Sequence, residues 1–198
     1  LAAAQKVIPG RRVRFEHSFG DGIFVRLPKT TVTRALAARI EREMRDMAER
    51  DLPIAYTQCT KEEANAYFAA TRQTNKLRLF QYRQLNTFHF YELEGVKEYF
   101  YGEMAPSTGC ASVFQLRLYL PGLLLRWPAA ETGGLRMAPF ADMPKLMRTF
   151  GETGRMNGVL SCENAADLNE MIERRAFRDF IRVSEAIHER HIELIADQ

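Results

Sequence analysis

The sequence predicts an α+β fold, an antiparallel sheet with helices on one face and a helical extension after it. Three observations predict it. Short segments of alternating or aromatic-rich character, punctuated by glycine and proline, occupy residues 11–27 and 76–127. Stretches with apolar residues three and four apart fall between them. From residue 144 onward every periodic stretch is of the helical kind.

The elements follow in order. Residues 1–7 (LAAAQKV) read as a helix stopped by Pro9 and Gly10. Residues 11–17 alternate through Val13 and Phe15, the SFGDG run at 18–22 is a turn, and residues 23–27 form the return strand of a hairpin that Pro28 ends. Thr30, Thr31 or Thr33 can cap the next helix, whose stripe is Leu36, Ile40, Met44 and Met47, and which stops at the DLP of 51–53. A short strand at 54–59 leads into TKEE at 60–63, a capping box before a helix over about 61–71. Residues 76–104 read as strands, LRLFQY then TFHFYEL, a Glu94–Gly95 turn and VKEYFYG. Two more strands fill 111–127, broken at Pro121 and Gly122, and the run of leucines at 123–125 predicts burial on both sides. Residues 129–141, with Gly133 and Gly134, read as loop. Helical patterns then cover Leu146, Met147 and Phe150, residues 164–174, and residues 177–196.

Composition bounds the function. The 198 residues are 46% hydrophobic with 13 Phe and 7 Tyr, enough for a sizeable core and far from a disordered chain. Apolar clusters are only a few residues long, so no membrane association is expected. The formal charge of +3 permits an anionic partner without marking a dedicated nucleic-acid arm. Cys59, Cys110 and Cys162 are widely spaced with no C-x-x-C, which fits a reducing, cytoplasmic setting better than a disulfide framework or thiolate zinc site. Both ends look cut, the first residue being Leu1 and the last lying inside a charged helical pattern, so a piece of a longer protein is expected.

No GxxxxGK[ST], GxGxxG after a strand, GxSxG or HExxH occurs, so kinase, dehydrogenase and metalloprotease chemistry lack their usual parts here. Glu185, His188 and His191 share one helix at spacings that let side chains converge on a metal, yet Glu189, Arg190 and Glu193 mark the same helix as solvated. His89 sits between Phe88 and Phe90 as a structural histidine, and His17 precedes the glycine turn, where it can touch a ligand. Basic groups occur as Arg11/Arg12/Arg14, Arg72/Lys76/Arg78 and Arg174/Arg175/Arg178/Arg182; the last can form a phosphate-facing stripe or an ordinary solvated face. The PSTG turn at 106–109, with Ser107 and Thr108, either cradles an anion or polar ligand or is a tight loop held by its own hydroxyls.

The stretches VIPGRRVRFEHSFGDGIFVRL, ERDLPI, TKEEANAYF and APSTG resemble the second N-terminal domain of threonyl-tRNA synthetase, shared with alanyl-tRNA synthetase, over about residues 1–127. That family edits misacylated tRNA with an H-x-x-x-H pair, which the resemblance puts upstream of Leu1, and a C-x-x-x-H pair before the PSTG turn. At the cysteine and histidine positions of the latter this sequence has Phe100 and Met104, which offer zinc no hard or borderline ligand and water no proton. EHSFGDGIFVR, YFYGEMAPSTG, LYLPGLLLRWP, DLNEMI and SEAIHERHIELIAD are, in order, similar to the N-terminal region of bacterial uridine kinase-like nucleoside kinases. The resemblance implies a synthetase-like domain over 1–128 and a loop and helical extension over 129–198. The extension leads to a kinase domain beyond Gln198 that would hold ATP and magnesium. It also implies no catalytic residue, metal or cofactor within this chain. The expected role is a non-catalytic module that binds a small-molecule ligand, RNA or its own kinase domain, the alternative being an editing hydrolase-like or tRNA-binding domain. His17, Ser107 and Thr108 are the expected polar groups of a residual pocket, with Phe100 and Met104 as its apolar wall or as side chains that fill it.

Overall fold

The computed structural model describes all residues except 85, 86, 101, 130–132, 134, 135 and 198. It is an α+β protein whose chain forms two compact units, one made of Leu1–Cys59 and His89–Pro144, the other of Thr60–Phe88 and Lys145–Gln198. Residues 60–88 thus group with the later helices in the second unit.

In the first unit, helix α1 (Ala2–Val7) is followed by strands β1 (Arg14–Ser18) and β2 (Gly22–Arg26), helix α2 (Arg34–Glu49) and strand β3 (Ala55–Thr60). Strands β4 (Thr87–Leu93) and β5 (Val96–Glu98), a 3-10 turn over Thr108–Ala111, and strands β6 (Gln115–Tyr119) and β7 (Gly122–Arg126) complete it. The expected single sheet is in fact two: a four-stranded antiparallel sheet ordered β1-β2-β7-β6, and a three-stranded sheet ordered β3-β4-β5. Thr33 is the threonine that caps α2, its Oγ1 accepting from the Leu36 amide at 3.1 Å.

Alternation along β2 and β7 sorts the larger sheet's two faces. Val25, Leu123 and Leu116 join Leu36, Ala37 and Ile40 of α2 in one apolar cluster. Phe24 and Leu124 point the other way and are fully buried, with the Phe24 and Phe19 rings set edge-on or tilted against Tyr119. The leucine run is thus covered on both sides, as a central strand requires. Gly22 and Gly122 are glycine by necessity, since a Cβ would come within 2.3 Å of the Leu125 carbonyl oxygen and 2.4 Å of that of Val25.

The hairpin turn is tied to β7 by charge. Arg126 is buried, and its Nε and Nη2 donate to both oxygens of Asp21 at 2.7 and 2.6 Å. The same guanidinium donates to the Ala138 carbonyl at 2.7 Å and to Gln115 Oε1 at 3.2 Å. Tyr119 donates to Asp142, and burial together with that carboxylate pushes its hydroxyl pKa up to about 12.

The second unit contains helices α3 (Lys61–Ala70), α4 (Thr74–Gln81), α5 (Pro144–Val159), α6 (Ala165–Glu173) and α7 (Phe177–Ala196). The capping box at Thr60 and Glu63 forms as the sequence predicts. The strand expected at LRLFQY does not form: this stretch belongs to α4. Its apolar residues at 77, 79 and 80 suit either period, and tertiary contacts decide. Helical geometry puts Phe80 edge-on against Phe68 and Phe88, with centroids 5.6 and 4.6 Å away, while Arg78 bridges Asp167 and Glu170 of α6 at 2.8 and 2.6 Å. The strand expected at VKEYFYG is shorter, ending at Glu98, and its residue 101 lies outside the described residues, as does Gly134 of the loop.

Candidate functional site

The PSTG turn is built into the first unit by a helix end. Helix α2 stops at Arg50, and Asp51 takes a left-handed conformation (φ 47°) that reverses the chain. This brings residues 52–54 alongside 106–108: Thr108 N donates to Leu52 O, and Ile54 N to Pro106 O, each at 2.9 Å. Thr108 Oγ1 accepts from the Leu52 amide at 2.8 Å and donates to the Met47 carbonyl. Its hydroxyl is spent on both sides, stitching the turn to the end of α2. The Gly109 amide donates to Asp51 Oδ1 at 2.9 Å, and a Cβ on Gly109 would meet that oxygen at 2.4 Å. The Ser107 hydroxyl and then the Gly109 amide hold the Asp51 carboxyl below its ordinary pKa. Of the two readings open for this turn, its geometry is that of the loop held by its own hydroxyls. Asp51 is the member that motif reading missed; its place just after a helix end, before Leu-Pro, was the available signal.

Beside this turn stands an aromatic face that the sequence did not assemble. Tyr56 of β3 is exposed and stacks on His89 of β4 at 5.1 Å with 27° between planes. Tyr91 meets Tyr56 edge-on at 5.5 Å, and Tyr99 tilts against His89 at 5.1 Å. Phe100 lies 6.3 Å from Tyr91, and its carbonyl oxygen is 3.1 Å from His89 Nε2, which orients the imidazole. Side chains at 89 and 91 share one side of β4, because alternate residues face alike, while Phe88 and Phe90 are buried on the other.

Phe100 and Met104 are 39% and 37% exposed, so neither fills a core as expected of bulky replacements. They present an aromatic ring and a thioether at the surface. His17 belongs to β1, where its ring stacks on Phe24 at 5.4 Å. Burial first, and Arg26 second, lower its pKa against the opposing pull of Glu16.

The remaining candidates lie in the second unit. Arg78 carries two carboxylates, which raise its pKa, and so does not join Arg72 in a bare basic surface. His188 and His191 line a groove of about 440 Å³ with Glu152 and Met156 of α5, whereas Glu185 lies outside that lining. Among the described residues, no group of three or more His, Cys, Asp or Glu side chains is disposed to hold a metal. None of their helices is long and apolar enough to cross a membrane. No protein-family model matches the chain, and no curated protein is significantly similar to it.

Proposed function

We propose that this chain is a non-catalytic accessory module of a uridine kinase-like nucleoside kinase, of synthetase editing-domain type, and that it binds a nucleobase-bearing ligand. The observation that carries the binding reading is the aromatic face of Tyr56, His89, Tyr91, Tyr99 and Phe100. An exposed tyrosine stacked on a hydrogen-bonded imidazole is a ready platform for a planar ring, because any base offers a π face. The PSTG turn supports the non-catalytic part of the reading. Its threonine hydroxyl is engaged at both ends and its serine is held to Asp51. Phe100 and Met104 contribute carbon and sulfur rather than a base or a hard ligand. The resemblance to nucleoside kinases supports the setting, with ATP and magnesium held by the kinase domain that it implies.

Titration with uridine and with a short single-stranded oligouridylate, followed by amide and aromatic NMR shifts, tests this. Binding is expected to perturb Tyr56, His89 and Phe100, and Tyr56→Ala to weaken it about fivefold or more, from ~1–3 kcal/mol per stacked base. Shifts elsewhere only, or equal affinity of the Tyr56→Ala variant, refute the binding reading.

A further inference from the structure

The charge around the aromatic face is of one sign. In sequence, β3, β4, β5 and residues 99–109 hold a single Lys or Arg, Lys97. Lys97 stands opposite Glu92 in the β4–β5 ladder and pairs with it at 3.5 Å. Glu92 alternates in step with the buried Phe88 and Phe90, so that pair lies on the reverse of the sheet from His89 and Tyr91. Glu98, by contrast, stands directly opposite Tyr91, and cross-strand partners share a face. Its Oε1 accepts from the Tyr99 amide at 3.0 Å. Glu103 is exposed between Phe100 and Met104, and at the neighbouring turn the Asp51 carboxyl is held below its ordinary pKa. Basic groups of the adjoining helices are engaged elsewhere: Lys6 of α1 and Arg50 after α2 both pair with Glu94, at 2.6 and 3.5 Å. Glu98 also acts on the Leu1 amine, whose pKa burial lowers against the pull of that carboxylate.

We infer that this face takes a base that carries no phosphate, a free nucleoside, and disfavours nucleotides and RNA. The inference rests on the base-stacking reading above and adds to it the sign of the charge around the platform. Stacking on Tyr56 and His89 is indifferent to what the sugar bears, because it uses only the π face of the base. A phosphate is not indifferent to its surroundings. Sites that hold one supply Lys, Arg or free backbone amides where it falls. Here the carboxylates of Glu98 and Glu103 border the rings, and the Gly109 amide of the PSTG turn is already given to Asp51. A phosphate one ribose away from the stacked base is repelled by those carboxylates, since charges closer than about 10 Å are only partly screened at ~0.1 M salt. Such a site tells a nucleoside from its phosphorylated product by charge alone.

NMR titration of the chain with uridine, uridine monophosphate and a short oligouridylate, read at Tyr56, His89 and Phe100, tests the inference. At about pH 8 the monophosphate is a dianion and an ordinary imidazole is neutral. Uridine is expected to bind about threefold or more tightly than either phosphorylated ligand at about 0.05 M salt, with the gap closing at about 0.5 M. The double variant Glu98→Gln/Glu103→Gln is expected to narrow the gap at low salt while changing the affinity for uridine less than about twofold, and Gln keeps an oxygen to accept from the Tyr99 amide. The salt series uses the unaltered chain and so stands apart from any effect of the substitutions on folding. Equal or tighter binding of uridine monophosphate or oligouridylate overturns the inference and leaves the stacking reading standing, and so does a gap that survives high salt or the double variant. Absence of shifts at the three residues with every ligand refutes the stacking reading itself, and this inference with it.

Discussion

Replacing Asp21 by alanine should strip a buried guanidinium of its counter-ion. Arg126 is about 3% exposed, and two of the four hydrogen bonds described above for it go to Asp21, at 2.6 and 2.7 Å. What remains is a carbonyl and an amide oxygen, with no negative charge among these partners. Removing one partner of a buried ion pair costs about 3–5 kcal/mol. The Asp21 side chain retains 20% exposure, through which water can reach the vacated space, so the lower end applies, ~3 kcal/mol. For a chain of this length that lowers Tm by about 6–12 °C. The double variant Asp21→Ala/Arg126→Met removes charge and counter-charge together and is expected to recover most of the loss, since an apolar side chain fills the site without needing a partner. Thermal melts by circular dichroism measure all of this. A drop under about 2 °C for Asp21→Ala, or a double variant less stable than the single one, refutes the claim that this pair fixes the hairpin turn onto β7.

Thr108→Val keeps the shape of the side chain but removes a donor to Met47 O and an acceptor for the Leu52 amide, and should cost about 1–3 kcal/mol in a denaturant melt. Thr108→Ser should recover most of it, and equal losses for the two variants would contradict the bonding described. For His17, burial lowers the folded pKa, so the unfolded chain takes up a proton at higher pH than the folded one. Its contribution to stability is therefore fully present above about pH 6.5 and declines as pH falls from there toward the folded pKa. His17→Phe should flatten that slope, and an NMR titration midpoint at or above the unperturbed value would reverse the sign.

The chain's periodic and capping signals were legible because they act over a few residues. The hairpin within 11–27, the Thr60 capping box and the leucines of β7 each rest on a local rule and stand where the sequence put them, while the cap of α2 fell on Thr33, one of three threonines the sequence offered. The PSTG turn was visible for the same reason, glycine and hydroxyl residues being turn formers wherever they occur.

The sequence by itself determined the α+β class, the order of most elements and the absence of a long apolar helix among the described residues. Tertiary structure decided the rest. Leu-Arg-Leu-Phe at 77–80 fits strand or helix equally, and became helix because only then do Phe80 and Arg78 reach Phe68 and Asp167 together. The use of the Thr108 hydroxyl depended on residues 56 and 61 positions away. The stacking of Tyr56 on His89 and the pairing of Asp21 with Arg126 likewise join residues far apart in sequence. Periodicity reports which side of an element faces inward, but not which element it meets. That choice is made by packing and by the pairing of buried charge, which act only once the chain has closed on itself.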